Sequence, residues 1–410
     1  MTGFSRRRIV ASAAATGGVA ALALTGCGGA QGGGATGGTT SDKTPVRIGA
    51  SVSATGSNGN IGRYQKEAYE LWVEMVNQRG GLLGRPVEMT ILDDQTDPTT
   101  GAKLYEKLIT EDKVDLVLGP YASSVTLSAS TVTEKYKYPL LAAGASASDI
   151  WKRNYKYVFG VYSVAESYFY GVIDLALKNN LKKIAIVNED TVFPNATATG
   201  TAAYARQKGM QIVFQEKYPQ KATDVSSMLT KIKAAVPEVL VGGSYEPDSM
   251  LITRQMKDLD VNVKMLAFSV GAANPDFQGS LGAVADHVFG PSMWEPDLKT
   301  PGNKEFLDAY KKKWSRDPDY HSATGFAGGQ IMEAAVKKAN SLDREKLREA
   351  LSTLETTTIL PGKYKVDDTG MQMGHIPVTI QWQGKEKAIV SPDNMATGKP
   401  KLPMPEWKAR

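Results

Sequence analysis

The chain has 410 residues, a formal net charge of +5, one cysteine and three histidines. Three arginines among the first 27 residues account for most of that charge, so the remainder is nearly balanced, which argues against a nucleic-acid binder. A lone Cys27 excludes a disulfide framework and any zinc site built on cysteines, while the widely spaced His287, His321 and His375 leave little for histidine-based metal binding or acid–base chemistry. At 42% hydrophobic and 22% charged, the composition is that of a globular protein rather than a disordered one. The length suggests two or three domains.

The N-terminus reads as an address. Ser5-Arg6-Arg7-Arg8-Ile9-Val10 is basic, Val10 to Leu24 is apolar, and Leu24-Thr25-Gly26-Cys27 ends in small residues. That order predicts a secretory signal peptide over 1–27. Its apolar part, about 15 residues, is shorter than the roughly 20 that a spanning helix needs. Ser-Arg-Arg-x-Ile-Val resembles a twin-arginine export signal. Leu-Thr-Gly-Cys resembles the lipobox of bacterial lipoproteins, which implies lipidation of Cys27 and a membrane anchor. Residues 28–44 are dominated by Gly, Thr, Ala and Ser and read as a flexible tether.

The body opens with the β-type run Val46 to Val52 and a Gly/Ser/Asn-rich loop, 53–62. A helix is expected through Asn77, stopped by Gly80-Gly81. A strand Val87 to Leu92, a helix Pro98 to Thr110, a strand Val114 to Leu118, a helix from Ser123 and a strand Pro139 to Ala143 follow. After Phe159 the alternation resumes. Strands are expected at Lys183–Val187, Gln211–Glu216, Val239–Gly242 and Met265–Phe268, and helices at Ala196–Lys208, Ser226–Ala235 and Pro247–Leu259. Alternation of this kind predicts an α/β fold of two successive parallel-sheet units. Ligands of such sheets sit beyond the carboxyl ends of strands, so the loops to inspect are 53–62, 119–124, 142–148, 188–195, 243–247 and 269–274.

Enzyme signatures are nearly absent. Gly144-Ala145-Ser146-Ala147-Ser148 lacks the second glycine of a nucleophile elbow, and no Walker loop occurs. The protein is therefore read as a non-enzyme without a cofactor or metal. Asp93, Asp94 and Asp97 lack EF-hand spacing and read as local structure, with Asp97-Pro98 capping a helix.

Several stretches carry a resemblance. They are Ala54-Thr55-Gly56, Asn77 through Arg85, Asp93 through Pro98, Gly119-Pro120-Tyr121-Ala122-Ser123-Ser124, Tyr218 through Thr230 and Phe306 through Pro318. In this order they resemble the leucine/isoleucine/valine-binding protein family of ABC importers, over about residues 45–390. The resemblance implies the type I periplasmic binding fold: two Rossmann-like lobes joined by three crossings, near Phe159–Tyr162, His287–Ser292 and Met373–Pro377. Lobe one would be 45–160 with 291–373, lobe two 161–288 with 374–392, and 393–410 a C-terminal tail. It also implies a monomer that passes a small solute to a permease and its ATPase subunits, with no nucleic-acid partner.

By the same resemblance the solute's carboxylate is held by Ser123 and by groups at Gly144 and Ser146, with Ser124 and Ala145 beside them. Backbone N–H groups at a helix start suit an anion. The family's acidic partner for an α-ammonium group falls here on Ser269 or Val270, and Phe193 stands in place of a tyrosine. An ammonium buried without a charged partner costs several kcal/mol. The expected solute is therefore an aromatic or aliphatic acid, with Tyr121, Phe193, Tyr245 and Trp294 as near-site aromatics. Glu189, Asp190 or Glu246 could substitute for the missing acid, which keeps an amino-acid binder open. A sensor's ligand-binding module and an extracytoplasmic enzyme are the other readings.

Overall fold

A computed structural model describes residues 43–410. The signal peptide, Cys27 and all but the last two residues of the 28–44 tether lie outside the described residues.

The first sheet is built from five short parallel strands. They are β1 (Val46–Val52), β2 (Val87–Asp93), β3 (Leu116–Leu118), β4 (Leu140–Ala142) and β5 (Val158–Gly160), in the order β2-β1-β3-β4-β5. Helices α1 (Gly59–Gln78), α2 (Pro98–Thr110) and α3 (Ser123–Lys135) connect them. The start of α2 is written in its sequence: Asp97 accepts from Thr100 N at 2.7 Å, and Pro98 fills the first helical position. The neighbouring acids organise the loop after β1. Asp94 accepts from Ser51 Oγ at 2.8 Å and Ser53 Oγ at 2.7 Å, and Asp93 accepts from Thr55 Oγ1 at 2.6 Å. All three aspartates thus serve local structure.

The second sheet has seven strands. After α4 (Tyr170–Lys178) come β6 (Lys183–Glu189), α5 (Val192–Gln207), β7 (Gln211–Tyr218), α6 (Ser226–Ala235), β8 (Val239–Gly243), α7 (Glu246–Asp258), β9 (Met265–Phe268), α8 (Pro275–Leu281) and β10 (Phe289–Ser292). The chain then returns to the first sheet for α9 (Asn303–Trp314), α10 (Tyr320–Ala339) and α11 (Arg344–Thr353). It crosses once more to add β11 (Val378–Gln383) and β12 (Glu386–Ser391). The order is β12-β11-β10-β9-β8-β6-β7, with β10–β11 and β11–β12 antiparallel. Because β10 is paired through Ser292, the second crossing follows that residue instead of spanning 287–292, and 291–292 join lobe two. The last residues are docked, not loose: Met404 and Trp407 are buried against lobe two, and Trp407 Nε1 donates to Val261 O at 2.7 Å.

Lobe one's core depends on close contact between α1 and α10. Trp72 is fully buried, and a Cβ at Gly329 would stand 2.3 Å from its ring. The glycine lets α10 lie against α1, which brings the start of α10, Tyr320 and His321, to the inner face of the lobe.

Candidate functional site

The carboxyl ends of both sheets face each other, and the cleft between the lobes is closed. Asn60 Nδ2, at the start of α1, donates to Glu246 Oε2 at 2.8 Å and to Asp276 Oδ2 at 3.0 Å. Asn274 Nδ2 of lobe two donates to Asp319 Oδ2 of lobe one at 3.1 Å. Inside lies a small cavity, of about 10 Å³ in this closed form, lined by Tyr121, Ser123, Gly144, Tyr162, Tyr168, Phe193, Tyr245, Val270, Tyr320 and His321. A larger groove of about 500 Å³ opens outward beside the crossings, around Ser163, His375 and Pro392. It lies away from the 119–124 and 243–247 loops that the fold aims into the cleft.

One corner of the cavity is polar. Ser123 begins α3, and its Oγ accepts from Ser146 N at 3.2 Å and Ala147 N at 3.3 Å, which leaves its hydroxyl proton free to donate. Gly144 completes the corner: a Cβ there would sit 2.6 Å from Tyr121 Cα and 2.9 Å from Pro120 O, so only glycine lets the loops after β3 and β4 meet. Ser146 Oγ pairs with Tyr168 OH at 3.0 Å, just behind the lining. The remaining walls are aromatic apart from Val270. Tyr121 and Tyr245 face each other across the cleft with ring centroids 6.2 Å apart, and Phe193 lies 5.5 Å from Tyr245 and 5.3 Å from Tyr168. Burial pushes the hydroxyls of Tyr121 and Tyr245 well up, so both stay protonated donors.

The structure thus brings Tyr121, Ser123, Gly144, Phe193, Tyr245 and Val270 together around one space. Other expected residues lie elsewhere. Ser124 is half-buried outside the lining, and Ala145 packs into the core behind β4. Ser269 Oγ is spent bridging two loops, accepting from Ser244 N and donating to Ser244 O, both at 2.9 Å. Trp294 belongs to lobe one's core, stacked edge-on against Phe306.

The cavity also holds residues not anticipated: Tyr162 and Tyr168 from the first crossing, and Tyr320 and His321 from α10. Asp319 in Pro318-Asp319-Tyr320 was a legible helix cap. It accepts from His321 N at 2.9 Å and Ser322 N at 3.0 Å, and it also accepts from His321 Nδ1 at 2.8 Å. Burial is the largest influence on the Asp319 carboxyl and pushes it up, but the charge and hydrogen bond of His321 and the capping amide hold it below the usual range. His321 thus lines the cavity, a position not expected from the sequence.

None of the three acids that could have served an ammonium group lines the cavity. Asp190 is exposed and paired with Lys217 at 3.1 Å. Glu189 is buried beside Asp248, and burial with that like charge pushes the Asp248 carboxyl up. Glu246 lies in the interlobe seam, where burial pushes it up to about 7.

Residues 45–386 match the family described as periplasmic binding protein, which spans most of the chain. The chain belongs to the periplasmic binding protein family. It is an extracytoplasmic solute-binding protein with two α/β lobes, similar to Leu/Ile/Val-binding proteins. No helix among the described residues is long and apolar enough to cross a membrane. This periplasmic binding protein is 24% identical over 379 residues to Leu/Ile/Val-binding protein homolog 7 of Brucella suis, covering 87% of this chain and 94% of that one. It also superposes on the isoleucine complex of a branched-chain amino acid transporter substrate-binding protein from Streptococcus pneumoniae. There the TM-score is 0.76 at 20% identity, with 88% of this chain and 100% of that chain covered. A solute-binding protein of an R. palustris ABC transporter, solved with benzoate, gives a TM-score of 0.76 at 18% identity, covering 88% and 97%.

Proposed function

We propose that this protein is the lipid-anchored solute receptor of an ABC importer, and that its solute is a small carboxylic acid with an aromatic or branched aliphatic body. The lipobox-like Leu24-Thr25-Gly26-Cys27 supports the anchor. The observation that carries the solute class is the cavity itself: Ser123 and the α3 start offer donors to an anion at one corner, tyrosines and Phe193 wall the rest, and none of the described lining residues bears a carboxylate. Donors without an opposing acid suit a carboxylate, and apolar ring faces suit a hydrocarbon body. Benzoate bound by one structural neighbour is consistent with this, whereas isoleucine bound by another is the competing solute class. Thermal shift of the protein against benzoate, branched aliphatic acids and α-amino acids tests the reading. A true solute at 100 times its Kd adds about 2.7 kcal/mol of stability. Shifts with the acids and none with the amino acids are expected, and the reverse would replace the acid by an amino acid.

A further inference from the structure

Five tyrosines line the cavity, and their hydroxyls differ in what they touch. Tyr121 OH lies 3.4 Å from His321 Nε2, and Tyr168 OH pairs with Ser146 Oγ at 3.0 Å. Tyr162 OH sits beside the same Ser146 and Tyr168 groups. Tyr245 OH and Tyr320 OH have no hydrogen-bond partner among the described residues, although the two residues are only 7% and 1% exposed. Tyr245 stands at the start of α7 in lobe two and Tyr320 at the start of α10 in lobe one, so the unpaired hydroxyls reach the cavity from opposite sides of the cleft. At about 10 Å³ the space they border holds one water-sized group.

Buried hydroxyls are almost always paired, and a group left without a partner is costly. With the lobes apart, water serves both tyrosines. Closure over a bare hydrocarbon ring would strip that water and return nothing, whereas a solute oxygen between the lobes would replace it. The kind of oxygen follows from the charges nearby. Glu189 and Asp248 act on Tyr245, and the ionised Asp319 acts on Tyr320, so a second anionic group is disfavoured at this end. A neutral hydroxyl both accepts and donates, which answers either tyrosine. We propose that the solute carries a ring hydroxyl in addition to its carboxylate, and that Tyr245 and Tyr320 select for it: the protein takes hydroxylated aromatic acids in preference to the unsubstituted ones. This rests on the carboxylate reading above.

The test is calorimetry with benzoate, 3-hydroxybenzoate and 4-hydroxybenzoate. 4-Methylbenzoate controls for size and terephthalate for a second carboxylate. At least one hydroxybenzoate is expected to bind roughly tenfold or more tightly than benzoate, with no such gain for the methyl or the second carboxylate. Tyr245→Phe and Tyr320→Phe each remove one hydroxyl and keep the ring, and thermal melts establish that both are folded. The readout is the ratio of hydroxybenzoate to benzoate affinity within one variant, which a general loss of packing would not move. That ratio is expected to fall to within a few-fold of one in at least one variant. Benzoate or terephthalate binding as tightly as the hydroxybenzoates, or a ratio unchanged in both variants, would overturn the inference and leave the carboxylate reading standing. A wild type that binds none of these acids would overturn the carboxylate reading and this inference with it.

Discussion

His375 Nδ1 lies 2.7 Å from Ser163 Oγ, and this one contact joins the first crossing between the lobes to the third. The same ring donates from Nε2 to Met293 O at 3.0 Å, on the second crossing, so one imidazole ties all three together. Ser163 N also donates to Nδ1, at 3.3 Å, so Nδ1 accepts while Nε2 donates, and that combination needs the neutral ring. Burial pushes His375 down to about 4, against a small opposing effect of the Met293 carbonyl.

This makes stability fall on acidification. In the unfolded chain the imidazole titrates near 6.5, and in the folded protein near 4. Between those values the unfolded chain holds a proton that the folded one does not. The contribution is therefore complete above pH 6.5 and is lost as pH falls toward 4, on the order of 3 kcal/mol in all. Denaturant unfolding at several pH values, in wild type and His375→Gln, checks it. The difference between the two should shrink steadily over that window, and a constant difference would contradict the neutral-ring hinge.

Ser123→Ala should weaken solute binding roughly tenfold or more and also cost stability. Its oxygen accepts two buried N–H groups, from Ser146 and Ala147. Leaving them unpaired costs about 1–3 kcal/mol. Ser146→Ala should weaken binding through Tyr168, which loses its partner. Calorimetry for binding and urea unfolding for stability separate the two effects, and wild-type affinity in both variants would remove these hydroxyls from the site.

Gly329→Ala should destabilise lobe one. The new methyl would lie 2.3 Å from Trp72, and overpacking of a tight core costs about 1–3 kcal/mol. The urea midpoint should drop with little change of slope. A midpoint equal to wild type would mean that α10 can shift away from α1 at no cost.

Cys27→Ala should release the protein from the membrane or block its processing. Membrane retention with correct cleavage, seen by fractionation and intact mass, would contradict lipidation at Cys27.

Legibility in the sequence followed the length and punctuation of each element. α2 was bounded correctly because Asp97, Pro98 and the periodic apolar residues agree. β5 and β10 escaped notice. They have three and four residues, carry Gly160, Gly290 and Pro291, and sit where the chain changes lobe. β12 begins with the charged Glu386-Lys387 and reads as surface. In the site, Ser123 was legible from its strand-to-helix loop, and Gly144 through the family resemblance. Tyr320 and His321 were not, because they reach the cavity from a helix about 200 residues further on, through a packing contact that no local pattern encodes. Ser269 was misplaced for a different reason: its backbone position fits the loop, but its hydroxyl is committed to Ser244.

The most direct measurement is a paired titration by calorimetry: 3-phenylpropanoate against phenylalanine, and 4-methylpentanoate against leucine. Each pair shares a side chain and differs in the α-ammonium group. An ammonium placed in this cavity without an acid would cost several kcal/mol, a thousandfold or more in affinity. The acids should bind and the amino acids should bind far more weakly, with Glu246→Gln leaving acid affinity within a few-fold of wild type. Tighter binding of the amino acids, abolished by Glu246→Gln, would contradict the account and make this an amino-acid receptor.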